Sequence, residues 1–438
     1  MQQLLIGLLV VVSLLLSLQA AYTLYMMVYT WDQPEAEELA RVPEHLAAPS
    51  LSFTAVVPAR HEEEVIARTL DRVVRSNYPA ALLQVIVVCS ADDEGTIART
   101  TQKIAELAAE GITNAKLVVF DDLPINKPHG LNRALREARG DVVTVFDAED
   151  EIHPDIVRVV NTIMVNEGVR VVQAGVQLMN YKSNWYSTFN VLEYFFWFKS
   201  RLHYQARLGS IPLGGNTVFF NRELLNQLHG WDETNLTEDA EIGLRVSSMG
   251  ERIRVIYDDR YVTKEETPPT LSSFIKQRTR WSQGFMQTLR SGVWKQMPTR
   301  HQRYLAFYTL AFPHAQAMLG LYAPIALAMV FFVNAPVVVA MLSFLPVLFL
   351  VAHFLTSVIG LYEFADAHKL KATPATVIKM AFTWLPYQLV LSYAALRAVR
   401  RLMAGRGEWE KTQHVGAHRI NTETVVPHTA KDTADDVA

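Results

Sequence analysis

At 438 residues, the chain is long enough for two or three domains. Half of it is apolar and the mean hydropathy is +0.10, high for a purely soluble protein. The net charge of −3 selects neither a nucleic-acid partner nor an anionic one, and the single cysteine, Cys89, excludes an internal disulfide.

The apolar excess is uneven. Residues 4–28 are nearly charge-free and about long enough to cross a bilayer, which takes ~20 residues. Met1-Gln2-Gln3 lacks the basic start of a signal peptide, so residues 1–31 are expected to form a retained transmembrane helix. Tyr25, Tyr29 and Trp31 suit its far interface, with the N-terminus outside. An acidic linker follows over 32–49.

From 50 to 270 the composition is that of a soluble domain. Buried strands are expected at 52–58, 84–89, 116–120 and 141–146, with helices at 65–75, 96–109 and 131–138 between them. This alternation argues an α/β domain with a mostly parallel sheet and helices on both faces. Ligands of such sheets bind beyond the carboxyl ends of the strands. Arg60, Asp92, Asp121 and Asp147 each lie just past one. Further strands are expected at 169–174, 217–220 and 253–257. The aromatic stretch 185–204 suits core or interface packing.

Thr237-Glu238-Asp239 sits in a polar turn that opens an apolar element. By itself it reads as a helix start, with Thr237 as cap and the acids offsetting the helix dipole. Residues 271–303 form an amphipathic region in which Gln277, Arg280 and Trp281 share one helix face. A basic helix on lipid headgroups explains that face as well as ligand binding does. The region 304–398 holds apolar tract 305–361, long enough for two spans and broken by Pro313, Pro324, Pro336 and Pro346. A third apolar segment, 377–396, carries Lys379 and Pro386. Arg397, Arg400, Arg401 and Arg406 after it mark a cytosolic end, so two spans separate it from the soluble domain and the third segment is interfacial or re-entrant. Residues 399–438 are a basic segment and, after 415, a disordered tail.

Taken in order, the motifs resemble those of membrane-bound family-2 glycosyltransferases, the group containing cellulose, chitin, hyaluronan and poly-N-acetylglucosamine synthases. They are Val57-Pro58-Ala59-Arg60-His61-Glu62, Lys127-Pro128 with Leu131-Asn132, Asp147-Ala148-Glu149-Asp150, Gly214-Gly215-Asn216, Thr237-Glu238-Asp239 and Gln277-Arg278-Thr279-Arg280-Trp281. Trp409-Glu410-Lys411-Thr412 also looks like a segment that follows the last membrane helix in relatives. The resemblance implies an A-type nucleotide-sugar glycosyltransferase fold with α-helical transmembrane segments, at the plasma or inner membrane, with its catalytic domain cytosolic.

It further implies Asp239 as general base, taking the proton of the acceptor hydroxyl during direct, inverting displacement. Glu238, Gly215, Asn216 and Trp281 support the acceptor. Pro58, Arg60, Glu62, Asp92, Asp93, Lys127, Asp147, Gln277 and Arg280 bind the nucleotide sugar, and Asp147 and Glu149 hold Mg2+ or Mn2+. Two departures stand out. Cys89-Ser90-Ala91 fill the place of the relatives' paired aspartates, with Asp92-Asp93 slightly later, and Glu149 replaces the second aspartate of Asp-x-Asp. The expected activity is transfer from a UDP-sugar, UDP-glucose or UDP-N-acetylglucosamine, to a growing β-linked polysaccharide. The alternatives are a single transfer to a lipid acceptor, and a non-catalytic sugar-binding subunit. The implied partners are donor, polysaccharide or lipid-linked acceptor and bilayer, with an accessory export subunit or a homo-oligomer, and no nucleic acid.

Overall fold

A computed structural model describes residues 2–33, 35, 38, 40–332, 336–408 and 410. The expectations for Trp409, Lys411, Thr412 and the tail after 415 fall outside these residues.

Seven strands form the central sheet: β1 (Phe53–Ala59), β2 (Leu83–Ser90), β3 (Ala115–Phe120), β4 (Val142–Val145), β5 (Val171–Ala174), β7 (Val218–Asn221) and β8 (Ile253–Ile256). Their spatial order is β3-β2-β1-β4-β7-β5-β8. All neighbours are parallel except that β7 runs antiparallel to both β4 and β5. Apart from the edge strand β3, the strands of this sheet are largely buried on both faces, and alternation along them divides the core in two. Phe53, Ala55, Val57 and Ala59 of β1 face one apolar cluster, and Val56 faces the other. A side chain as large as the fully buried Phe53 contributes roughly 1.5–3 kcal/mol by leaving water.

After α1 (Gln2–Asp32), helices α2 (Ile66–Val74), α3 (Glu94–Ala109) and α4 (Lys127–Glu137) alternate with the first strands as expected, and α5 (Ile156–Glu167) follows β4. One boundary differs. The lysine loop is the first turn of α4, because the Asn126 side chain accepts from the His129 amide and caps the helix, with Pro128 just inside it. A second, two-stranded sheet was not expected: β6 (Val176–Leu178) pairs in parallel with β9 (Thr263–Glu265). Three residues in each strand are too few to show a period.

The aromatic stretch forms α6 (Ser187–Phe196), a π-helical turn (Trp197–Arg201) and α7 (Leu202–Leu208). Its rings are largely core, as in the stacked pair Phe189 and Tyr387. After α8 (Arg222–Gln227) and α9 (Glu238–Ser248) come four long helices. These are α10 (Leu271–Ser291), α11 (Arg300–Phe332), α12 (Val337–Ala367) and α13 (Pro374–Met403). Pro336 caps α12, while Pro313, Pro324, Pro346 and Pro386 lie inside helices.

Among the described residues two helices, Ile6–Asp32 and Val337–Ala367, are long and apolar enough to cross a membrane. Leu8, Leu15, Leu18, Met341, Leu348 and Leu355 stand exposed along them. The Trp31 indole donates to Glu363 at 3.0 Å, so α1 and α12 end at the same level. α11 runs the other way: Thr23 meets Tyr308 at 2.6 Å, and Ser13 meets Tyr322 at 2.5 Å. Both ends of α13 return to the domain. Lys379 donates to the Asn184 carbonyl at 3.4 Å, and Arg401 donates to Gln283 at 3.1 Å.

Candidate active site

The site forms where α9 begins. Thr237 occupies the N-cap position, but its hydroxyl makes no cap bond. It donates instead toward Asn235 at 3.3 Å, and the Asn235 side chain also accepts from the Thr237 amide at 2.9 Å. The capping role expected from sequence therefore falls to the backbone turn. Asp239 Oδ1 accepts from the Ala240 amide at 2.7 Å, which fixes the carboxylate at the helix start and leaves Oδ2 toward Gly215. A β-carbon on Gly215 would lie 2.9 Å from that Oδ2. The glycine turn thus permits a close approach that no side chain would allow.

Lys127 reaches the same point from α4. Its Nζ donates to Asp147 at 2.5 Å and to the Gly215 carbonyl at 3.1 Å. Burial opposes its charge, but Asp147, Glu238 and Asp239 outweigh that and hold its pKa above the ordinary lysine value. Burial raises the Asp239 pKa, against the pull of the Ala240 amide, Lys127 and Arg280. The same burial, with Asp239 beside it, pushes Glu238 up to about 7. Asp239 is consequently a better proton acceptor than an ordinary carboxylate.

A polar cavity of about 450 Å³ gathers these groups. Of the residues singled out from sequence, Pro58, Arg60, Glu62, Lys127, Asp147, Glu149, Gly215, Asn216, Glu238, Asp239, Gln277, Arg280 and Trp281 line it. Gln277, Arg280 and Trp281 reach it from one face of α10, as their spacing predicts. Gln277 Oε1 is buried without a hydrogen-bond partner, as in a site awaiting a donor group.

Asp92 and Asp93 stand apart from these. Neither lines the cavity. Asp92 pairs with Arg60 at 3.0 Å and is half exposed. Asp93 is buried, caps α3 by accepting from the Thr96 amide, and accepts from the His61 amide at 2.5 Å. Its carboxylate joins two loops of the chain. Asp150 also turns inward. It accepts from the Asp147 amide at 2.8 Å and from Asn216 at 2.9 Å, so within this segment Asp147 and Glu149 are the acids that line the cavity. Glu265 of β9, which sequence reading did not single out, lines the cavity and accepts from Asn216.

Among the described residues no three metal-ligating side chains come together. Asp147 and Glu149 are two carboxylate donors on one cavity wall. This set fits a hard divalent cation that takes its remaining oxygens from phosphate and water, and does not fit one held by protein alone.

A second cavity, of about 300 Å³, opens from the same point. It shares Tyr194, Gly215, Asn216, Thr237, Asp239 and Trp281 with the first and continues between α1, α11, α12 and α13. Its walls beyond the shared residues are mostly apolar, among them Met27, Phe312, Leu319, Leu350, Trp384 and Leu391. Trp281 stands between the two spaces. The Arg278 guanidinium lies 4.6 Å over its ring, and the Tyr194 ring lies 6.2 Å away.

The domain, a mostly parallel sheet with acids and cations gathered past its strand ends, has the architecture of an A-type glycosyltransferase. Residues 49–284, more than half of the chain, match the glycosyltransferase like family 2, and the chain belongs to that family. It is 25% identical over 390 residues to the probable glycosyltransferase YdaM of Bacillus subtilis, covering 84% of this chain and 87% of that protein. It is 28% identical to a beta-monoglucosyldiacylglycerol synthase of Nostoc over 54% of this chain and 50% of that one. Against a poly-beta-1,6-N-acetyl-D-glucosamine synthase of Staphylococcus epidermidis the identity is 24%, over 66% of this chain and 67% of that one. The fold is similar to that of the mannosyltransferase PcManGT from Pyrobaculum calidifontis, solved with GDP-Man and Mn2+. The TM-score is 0.56 at 22% identity, covering 89% of this chain and 99% of that one.

Proposed function

We propose that the chain is a membrane-bound, inverting glycosyltransferase that moves one sugar from a nucleotide sugar to a hydroxyl carried by a lipid. The observation that carries this reading is the position of Asp239, where a polar cavity meets an apolar one that runs between long helices.

In this reading the donor lies in the polar cavity. Its diphosphate faces Lys127 and Arg280, whose fixed positive charge offsets the charge that develops as the sugar leaves. Asp147 and Glu149 would hold Mg2+ or Mn2+, which would supply charge neutralisation for the diphosphate. Asp239 takes the acceptor proton, a contribution of about 10²–10⁴-fold. With one base and no enzyme nucleophile the displacement is direct, so an α-linked donor gives a β-linked product. UDP-glucose and UDP-N-acetylglucosamine are the proposed donors, in line with the glucosyl and N-acetylglucosaminyl products named for the relatives.

The membrane arrangement belongs to the same proposal. In it α1 and α12 cross the bilayer, α11 is the return span because it runs antiparallel to α1, and α13 lies at the cytosolic face, which is supported by both ends of α13 touching the domain. In this reading the catalytic domain and Arg406 after α13 lie on the cytosolic side. The apolar wall and limited volume of the second cavity favour a lipid over a growing glycan. The aromatic pair Tyr194 and Trp281 favours the second reading, polymer synthesis, because ring faces pack on sugar faces.

A product assay in detergent with labelled donors and lipid acceptors tests the choice. A single organic-extractable glycolipid is expected. A ladder of water-soluble oligomers would overturn the lipid reading.

A further inference from the structure

The apolar cavity contains a charge that its walls do not balance. Arg201 closes the π-helical turn and lines the cavity. Its guanidinium lies 4.9 Å over the Phe312 ring, and its Nε is buried without a hydrogen-bond partner. The nearby acid is already committed: Glu193 pairs with Arg278 at 2.5 Å, and Arg278 also donates to Asn190. His353, across the cavity, has its Nδ1 against the Phe349 carbonyl at 2.7 Å. Among the described residues Arg201 has no carboxylate partner. Arginine stays charged under all ordinary conditions, and burying such a group without an anion is costly. Charged groups at membrane depth commonly mark a ligand path. π-helical turns are rare and occur often at functional sites.

We infer that the cavity takes a lipid bearing a phosphate group, with Arg201 as the phosphate's partner and the lipid's apolar chain along α11 and α12. The inference rests on the proposal that this cavity receives the acceptor. It adds that the acceptor is acidic, where a neutral diacylglycerol would leave Arg201 without an anion. The phosphate could belong to a glycerophospholipid with a free headgroup hydroxyl or to a polyisoprenyl phosphosugar, whose sugar supplies the hydroxyl. Either provides the same charge on an apolar tail.

The test uses the purified full chain in detergent and three probes: phosphatidylglycerol, a polyisoprenyl phosphosugar and a neutral diacylglycerol of matched chain length. Retained lipid is read by native mass spectrometry, and UDP binding with Mn2+ is measured on the same samples. At least one phosphate lipid is expected to displace diacylglycerol with about tenfold preference, and the one preferred identifies the source. Arg201→Gln should abolish the preference, and Arg201→Lys should keep most of it, both with unchanged UDP binding. Equal retention of all three probes by the native chain, or an undiminished preference in Arg201→Gln, would overturn the inference. Failure of the native chain to bind UDP would instead count against the glycosyl-transfer reading.

Discussion

Gly284 of α10 rests directly on Thr237: a β-carbon at Gly284 would lie 2.5 Å from the Thr237 hydroxyl and 2.7 Å from its amide. This contact brings the helix that carries Gln277, Arg280 and Trp281 against the turn that carries Asp239. Glycine in a helix interior ordinarily costs roughly 0.5–1 kcal/mol relative to alanine. Here the close approach outweighs that cost. Gly284→Ala is expected to lower the thermal midpoint, by a packing penalty of about 1–3 kcal/mol. It should also cut transfer at least tenfold by moving Arg280 and Trp281 off the site. An alanine variant that gained stability and kept its turnover would show that the two elements are not coupled in this way.

Lys127 connects the donor side to the acceptor side, since one ammonium meets both Asp147 and the Gly215 carbonyl. Lys127→Met removes an ion-pair partner of Asp147. Weaker nucleotide binding is expected, together with a greater dependence on divalent cation. Titration calorimetry with UDP at several Mn2+ concentrations checks this. Unchanged affinity across the series would exclude Lys127 from the diphosphate site.

The pair Glu238 and Asp239 should make stability depend on pH. Burial and the neighbouring charge raise the Glu238 pKa to about 7, above its unfolded value. The folded state then binds more protons than the unfolded one between the two values, so stability falls as pH rises through this window. Glu238→Gln is expected to be more stable than the native chain at pH 8, by roughly 1–3 kcal/mol, and to lose that advantage near pH 4. Thermal melts at the two pH values measure the difference. An equal effect at both would assign it to packing.

Chelation should stop transfer, and added Mn2+ or Mg2+ should restore it. Asp147→Asn is expected to raise the cation concentration needed by at least tenfold, because one of the two carboxylates proposed to hold the cation is weakened. Asp150→Asn should act differently, through stability, since Asp150 is buried against Asn216 and the Asp147 amide. A similar cation requirement in the two variants would contradict this division of roles.

Much of the site was legible in the sequence because its residues follow strand ends or share a helix face. The continuous apolar runs at β1, β2 and β4 located Arg60 and Asp147, and the spacing of Gln277, Arg280 and Trp281 placed them together. Asp92 and Asp93 follow a strand end as well, but sequence does not reveal that Asp93 would be taken up as a cap and a loop tie. Glu265 escaped because its strand is three residues long and pairs with one distant in sequence. The strand at 217–220 was legible, but its antiparallel direction as β7 was not, since strand direction depends on long-range pairing and not on local pattern. Arg201 lay within an aromatic stretch whose composition explained itself as packing, and its isolation emerged only from the arrangement of the helices around it.

The account depends most on Asp239, whose carboxylate faces both cavities and is held by the Ala240 amide. Asp239→Asn preserves shape and hydrogen bonding while removing the base. Transfer to a lipid acceptor, measured with bound UDP-sugar in a single turnover, should fall by about 10²–10⁴-fold. UDP affinity, measured in parallel, should stay within a few-fold of the native value. A variant that bound UDP normally and retained most of its turnover would contradict the assignment of Asp239 as the proton acceptor.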